Sequence, residues 1–450
     1  MKFKNLFLLA FLLLVCFAFI GCESLSVREV KKTYINDDGE LVIEYTDGDK
    51  DNLGVVVGSN GADGKDGADG KDGVDGKDGT DGKDGVDGAN GKDGSVSITG
   101  DSQNIGLASS KAARSAVSVV AVFTDRYGQE SASSGSGVIY KYNESSDGYF
   151  IITNYHVVYD STYGVSNDLR VYLYGNEYAE GAMSAEYVGG SLNYDIAVLH
   201  VENNDNFKNS CAVPVETIAS GTVSIGDTAI AVGNARGEGI SATVGVVSVD
   251  SESIEMTAAD GKTTVSFRVM RTDASVNRGN SGGGLYNDKG QLIGIVNAKI
   301  IVDGVEGIAY AIPSTLALNV ADNIIDNCYE KDANTVKRAL LGISVSISES
   351  SSVFDTETGK ISIKEKVYVV EANSNNLFGT EIKANDIIKS IKLDRLEGIN
   401  VTRQFHVIDY LLQARLGDTG VLVVERENEN GEMEEISLYF TITESCIANY

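Results

Sequence analysis

Apolar and polar positions follow different rhythms along the chain. Lys2 and Lys4 precede an unbroken apolar run from Leu6 to Ile20. That run is shorter than the roughly 20 residues a membrane-spanning helix needs, and after a basic start it predicts an export signal. The polar stretch 23–57 follows, and its centre, Gly39 to Gly48, reads as one strand between turns. From Gly58 to Gly94 every third residue is glycine, and 95–110 is a Ser- and Gly-containing linker. Short β-rich runs separated by turn residues come next: Val117–Phe123, Gly137–Tyr142, Tyr149–Thr153, Leu169–Tyr174, Asp195–Val201, Thr228–Val232, Ile240–Val249, Val265–Thr272, Leu292–Asn297 and Gly307–Ile312. Many short strands with glycine turns predict a sandwich or a barrel. Thr315–Tyr329 carries Leu316, Val320, Ile324 and Cys328 at helical spacing. In 339–444, strands are expected at Val367–Glu371, Asp386–Ile391, Val421–Glu425 and Ile436–Ile442, and a helix at Gln404–Arg415, enough for one small domain.

The glycine tract consists mostly of Gly-Lys-Asp, Gly-Ala-Asp and Gly-Val-Asp triplets. Strict Gly-X-Y spacing is the mark of a collagen triple helix, where only glycine fits at the axis. The tract contains no proline, so interchain Lys–Asp pairs would have to replace the usual pre-set backbone. A flexible charged linker is the alternative, and either form serves as a stalk. Fully extended, it reaches on the order of 100 Å at about 3 Å per residue.

At 450 residues the chain has room for two or three domains. A net charge of −28 argues against nucleic acid and anionic headgroups as partners, because both need a basic face. Phe19-Ile20-Gly21-Cys22 ends the apolar run with a small residue before cysteine, which resembles a bacterial lipobox with Phe19 where leucine is usual. Cys22 is then the lipidated residue; an uncleaved anchor is the alternative. Both put the rest of the chain outside the cytoplasm, at the cell surface or the extracytoplasmic membrane face. Cys211, Cys328 and Cys446 are too few and too widely spaced for a disulfide framework or a zinc site and read as packing residues. No metal or phosphate motif is visible, and no cofactor is expected.

The strongest chemical motif runs from Arg271 to Leu285 and contains Gly279-Asn280-Ser281-Gly282-Gly283-Gly284. A serine between glycines sits on a tight turn, where its hydroxyl can be exposed and nearby N–H groups can converge on a developing oxyanion. A serine hydroxyl is a weak nucleophile alone and needs a histidine base oriented by a carboxylate. Of the three histidines, His156 ends an apolar strand in Ile151-Ile152-Thr153-Asn154-Tyr155-His156, while Asp195 precedes one in Asn193-Tyr194-Asp195-Ile196. The order His, Asp, Ser is the chymotrypsin-type order. His200 follows Asp195 on its strand and reads as structural; His406 falls on the C-terminal helix as a surface or groove residue.

Gly135-Ser136-Gly137-Val138-Ile139, the His156 and Asp195 motifs, Val232-Gly233-Asn234, the Ser281 motif and Ala309-Tyr310-Ala311-Ile312-Pro313 together resemble the HtrA (Deg-type) serine proteases, in that family's order. The likeness extends over about 111–444. It implies Ser281 as nucleophile, His156 as general base and acid, Asp195 as its orienter, and the N–H groups of Gly279, Asn280 and Ser281 as the oxyanion hole. Val276 matches a wall of the specificity pocket, which implies small or medium aliphatic P1 side chains. Leu340-Leu341-Gly342-Ile343 resembles the carboxylate-binding loop of PDZ domains, where a peptide C-terminus is held while the peptide adds as a strand. Asn385-Asp386-Ile387-Ile388 and Gly417 to Val421 support it, although Asn385 stands where the family often has glycine.

The expected architecture is mainly β. It comprises a signal peptide (1–21), a short β-containing segment (22–57), a collagen-like stalk (58–94), a linker (95–110), a chymotrypsin-like double β-barrel protease (111–332) and a small α+β PDZ domain (339–444). The resemblance implies cleavage of unfolded or damaged exported proteins and assembly as a homotrimer. A non-proteolytic chaperone or scaffold, and a surface interaction protein displayed on the stalk, are the rival readings.

Overall fold

The structure is a computed structural model and describes residues 30–36, 40–55, 101–176, 181–218, 223–298, 307–331 and 335–450. The expected signal, Cys22 and the glycine tract lie outside these residues. The chain divides into two units, 1–93 and 94–450. In the first, β1 (Val30–Ile35), β2 (Glu40–Tyr45) and β3 (Lys50–Val55) form an antiparallel sheet in sequence order. The sequence had suggested a single strand there.

The second unit opens with helix α1 (Asp101–Ala113), most of which falls in the expected linker. Among its described side chains the buried ones are Ala108 and Ala112, which an apolar-periodicity reading does not register. Two closed six-stranded barrels follow, as the resemblance implied. The first contains β4 (Ala116–Thr124), β5 (Glu130–Asn143), β6 (Gly148–Thr153), β9 (Asp168–Leu173), β10 (Met183–Ser191) and β11 (Ile196–Glu202), with a small pair β7 (Tyr159–Asp160) and β8 (Gly164–Val165) outside it. The one-turn helix α2 (Tyr155–Val158) follows β6, and α3 (Asp205–Lys208) follows β11. The second barrel closes β12 (Thr228–Gly233), β13 (Ser241–Thr257), β14 (Thr264–Thr272), β15 (Gly284–Tyr286), β16 (Leu292–Val296) and β17 (Ala309–Pro313).

Several strands are apolar on both faces because both faces are covered. Ile151, Ala197 and Leu199 fill the first barrel. Their neighbours Ile152, Ile196 and Val198 join a core shared with the second barrel and with helix α4 (Ser314–Cys328), through Leu316, Val320 and Ile324. Strand β10 escaped the sequence reading because close approach requires small residues in it. A Cβ on Gly189 would lie 2.9 Å from Ile324 Cγ2 of α4.

The C-terminal region pairs β18 (Lys337–Ala339) with β25 (Ile447–Asn449) and builds a six-stranded sheet. That sheet has β19 (Ile343–Phe354), β20 (Ile361–Ala372), β21 (Ile387–Leu393), β23 (Thr419–Glu427) and β24 (Met433–Thr441) in line, with β22 (Ile399–Asn400) beside β21. Helix α5 (Phe405–Leu411) covers it and is shorter than the expected Gln404–Arg415. Asn385 adopts φ 71°, a left-handed conformation that asparagine tolerates, so the turn forms without glycine.

Polar contacts tie this region to the second barrel. Arg268 of β14 pairs with Asp409 of α5 and donates to Thr315 Oγ1 over 2.9 Å. The Phe405 ring lies 4.1 Å from the Arg268 guanidinium and 5.0 Å from that of Arg403, and Arg403 reaches Asp250 over 2.9 Å. Lys360 meets Asp227 at 2.7 Å. Cys328 and Cys446 are buried as expected, but Cys211 is exposed and is not a packing residue. Its carbonyl, not its thiol, is engaged, accepting from Arg114 Nε over 2.8 Å.

Candidate active site

The two barrels each deliver part of one site. On the first, β6 runs into Asn154 and α2, which presents His156 at its second position. Asp195 stands just before β11 with φ 51°, another left-handed residue. Its carbonyl accepts the Asn154 amide over 2.9 Å and the Tyr155 N–H over 3.2 Å. Its carboxylate accepts the His156 backbone N–H at Oδ1 over 2.9 Å and lies 2.7 Å from His156 Nδ1 at Oδ2. Beside it, the Tyr194 hydroxyl accepts Arg338 Nη1 over 2.9 Å, and the Arg338 guanidinium stacks 3.8 Å from the Tyr450 ring.

On the second barrel, Ser281 lies in the loop between β14 and β15, with its Oγ 2.9 Å from His156 Nε2. Two glycines shape the loop. Gly279 has φ 97°, and a Cβ on it would lie 2.3 Å from the Asn234 carbonyl; Gly282 has φ 83°, and a Cβ there would lie 2.3 Å from both the Ser136 carbonyl and Thr153 Oγ1. Only glycine accommodates both the backbone angle and the close approach. Asp195 and Ser281 are each 6% exposed, so their contacts are largely withdrawn from water. The structure thus brings Asp195 and Ser281, which lie 39 and 125 positions along the sequence from His156, together around it.

The expected three-donor oxyanion hole is drawn differently. The Asn280 N–H donates to the Asn277 carbonyl over 3.0 Å and is therefore spent inside the turn. The N–H groups of Gly279 and Ser281 have no hydrogen-bond partner among the described residues. Val276 is partly buried and packs on the core of the second barrel with Ala274 and Met270. Residues 299–306 lie outside the described residues.

Sequence reasoning missed two supports of the site. Asn297, fully buried after β16, donates its amide to Asp195 Oδ2 over 2.8 Å. Ser136 and the Asn234–Arg236 turn hold the Ser281 loop: Ser136 N–H donates to the Ser281 carbonyl over 2.8 Å, and Arg236 N–H to the Arg278 carbonyl over 2.8 Å. The signal lies in the sequence, where Gly135-Ser136-Gly137 and Val232-Gly233-Asn234 stand among the motifs of the resemblance without a role of their own.

At the other candidate site, Leu340 to Ile343 lead into β19, an edge strand of the C-terminal sheet. Gly342 has φ 74°, and Leu341 is buried. The Leu340 N–H is taken by the Cys446 carbonyl at 2.7 Å, and the Gly342 carbonyl accepts the Asn373 N–H over 2.9 Å. Gln404, just before α5, donates its amide to the Val345 carbonyl on β19 over 3.1 Å. His406 is half-buried; its Nδ1 lies 3.2 Å from the Asn400 carbonyl and 3.3 Å from the Thr402 nitrogen. His200 is buried, 2.9 Å from Ser146 Oγ and packed against Phe150 and Tyr329. Among the described residues no group of His, Cys, Asp or Glu side chains is arranged to hold a metal ion.

Residues 135–295 match the family model of the trypsin-like peptidase domain, and residues 50–108 match that of the collagen triple helix repeat. The chain is 34% identical over 275 residues to the serine protease Do-like HtrA of Lactococcus lactis subsp. cremoris, covering 59% of this chain and 62% of that one. It is 31% identical over 305 residues to the Do-like HtrB of Bacillus subtilis, covering 65% and 60%. To the periplasmic pH-dependent serine endoprotease DegQ of Escherichia coli it is 32% identical over 260 residues, covering 57% and 50%. The chain therefore spans between 60% and 62% of the length of the first two relatives.

Proposed function

We propose that this chain is an extracytoplasmic serine endopeptidase of the HtrA type, acting on unfolded or damaged exported polypeptides. The observation that carries the reading is His156, with one ring nitrogen 2.7 Å from Asp195 and the other 2.9 Å from Ser281. In this mechanism Ser281 Oγ attacks the substrate carbonyl as His156 Nε2 takes its proton. The imidazolium is steadied by Asp195, and the oxyanion rests on the N–H groups of Gly279 and Ser281. His156 then gives the proton to the departing amine, leaving an acyl group on Ser281. Water, deprotonated by the same histidine, releases the acid and restores the serine.

The likeness to named HtrA and periplasmic Deg proteases supports the polypeptide substrate and the extracytoplasmic location. With Val276 on the pocket wall and no acidic side chain from Ala274 to Asn280, the P1 preference is small to medium aliphatic. The C-terminal α+β region acts as a PDZ domain that takes peptide C-termini between β19 and α5, with the N–H groups of Leu341, Gly342 and Ile343 on the carboxylate. Lipid on Cys22 holds the protein at the membrane, the Gly-X-Y tract spaces it outward, and the protein assembles as a homotrimer. The tract also favours the reading of surface display for interaction, which is compatible with proteolysis.

Casein digestion tests the central claim: wild type cleaves, and Ser281→Ala does not. A wild type that binds unfolded casein without cutting it would replace the protease with a holding protein.

A further inference from the structure

A buried hydroxyl outside the triad holds the loop that carries the free Gly279 N–H. Ser136, in β5 of the first barrel, has no exposed surface. Its Oγ accepts the Asn234 N–H over 2.7 Å and donates to the Gly279 carbonyl over 2.7 Å. The direction of both bonds is fixed. A backbone N–H can only donate and a carbonyl can only accept, so the single hydroxyl proton must point at Gly279.

The geometry of a trans peptide gives this bond its consequence. Within one peptide plane the C=O and the N–H point in opposite directions. Arg236 N–H holds the Arg278 carbonyl at 2.8 Å, which turns the Gly279 N–H of the same plane the other way, out of the turn. Ser136 Oγ holds the next carbonyl, that of Gly279, and the Asn280 N–H of that plane turns inward to Asn277 at 3.0 Å. Both planes flanking Gly279 are therefore clamped, one by the Asn234–Arg236 turn directly and the other through the Ser136 hydroxyl. Arg236 itself sits at φ 60°, so its N–H owes its direction to a left-handed turn.

We propose that Ser136 is a positioning residue for the oxyanion hole. Its hydroxyl links the Asn234 turn to the Ser281 loop and keeps the Gly279 N–H aimed where the substrate's carbonyl oxygen becomes an anion. The role rests on the serine-protease reading and adds to it a side chain that never touches substrate. The surroundings restrict what can replace it. A Cβ on Gly233 would lie 2.7 Å from Ser136 Oγ, and one on Gly283 would lie 3.1 Å from Ser136 Cβ, so the hydroxyl sits where its neighbours must be glycine. Alanine fits but leaves the Asn234 N–H and the Gly279 carbonyl without their shared partner.

The test compares wild type, Ser136→Ala and Ser136→Cys, with Ser281→Ala as the blank. It measures kcat and KM on a peptide cut from casein, binding of a peptidyl boronic acid that mimics the tetrahedral adduct, binding of the cleaved product peptide, and thermal stability. Removing a direct oxyanion donor costs about 100- to 1000-fold in kcat, and loosening one through its anchor should cost less, about 10- to 100-fold. Ser136→Ala is expected to lose that factor in kcat and in boronic acid affinity alike. KM and product binding should stay within about twofold, because ground-state contacts are kept. Cysteine, a weaker donor of nearly the same shape, should recover part of the loss. Equal kcat in wild type and Ser136→Ala would overturn the proposal. So would losses in kcat, product binding and stability that move together, the pattern of a merely structural residue. If alanine fails to fold, the cysteine variant gives the same comparison. The two failures are distinguishable: a wild type that cuts nothing sinks the protease reading and this role with it, while an active wild type matched by Ser136→Ala sinks this role alone.

Discussion

Asn297 donates its side-chain amide to Oδ2 of Asp195 across 2.8 Å, the oxygen that lies 2.7 Å from His156 Nδ1. The amide comes from the second barrel and the carboxylate from the first. Oδ1 is held by the His156 backbone N–H at 2.9 Å, so both carboxylate oxygens are fixed before substrate arrives. Asn297→Ala should therefore keep the fold and lower kcat about tenfold, since a hydrogen bond to a charged group contributes ~1.5–3 kcal/mol. Steady-state kinetics on a casein peptide would check this. An unchanged kcat would mean that the backbone N–H alone orients Asp195.

Gly282→Ala should be far more damaging than its size suggests. The added Cβ meets two oxygens at 2.3 Å, at a φ of 83° that L-residues avoid. Combined strain and overpacking put the cost at about 3 kcal/mol, with complete loss of cleavage because the Ser281 loop must move. Urea denaturation with a parallel activity assay would measure both. A stable, active alanine variant would show that the loop has slack the structure does not suggest.

Asp409→Ala should loosen the C-terminal region from the second barrel. Arg268 would keep Thr315 Oγ1 and the Phe405 ring but lose its carboxylate in a site where its side chain is only 11% exposed. Breaking a buried pair from one side costs ~3–5 kcal/mol. The expected readout is a thermal transition that splits in two, the C-terminal region melting first. A single transition at the wild-type temperature would show that Arg403–Asp250 and Lys360–Asp227 suffice.

His200 supplies a pH dependence. Burial pushes its pKa below the usual histidine value, opposed in part by Glu186, Glu202 and Glu330. The folded state thus prefers the neutral ring. Its contribution to stability is full above the unfolded value near 6.5 and fades as pH falls below it. Melting temperature should drop between pH 7.5 and 5, and His200→Gln should drop less over the same range. Parallel curves for the two proteins would place the acid sensitivity elsewhere.

Much of this was legible because the chemistry-bearing residues sit in short motifs with fixed neighbours. The double barrel followed from β-rich runs and from the resemblance those motifs carried. What escaped was what the third dimension supplies. Strand β10 hides behind Gly189, which is glycine because Ile324 presses on it. Among its described side chains, helix α1 fully buries Ala108 and Ala112, with Ile105 partly buried against the same core, so no broad apolar stripe announces it. Asn297 and Ser136 acquire meaning only when the two barrels meet. The Asn280 N–H could be counted as a donor from sequence, but only the folded turn shows it directed at Asn277.

The division of the site between barrels bears on the chain's safety before it is finished. His156 and Ser281 are 125 residues apart, and the Ser136–Asn234 and Asn297–Asp195 contacts also cross from one barrel to the other. A chain with only its first barrel closed has a base and no nucleophile. One with an undocked second barrel has a serine whose loop lacks its clamp. On the proteolytic reading, cleaving power arises only on completion, so an unfinished chain cannot digest its sister chains on the way.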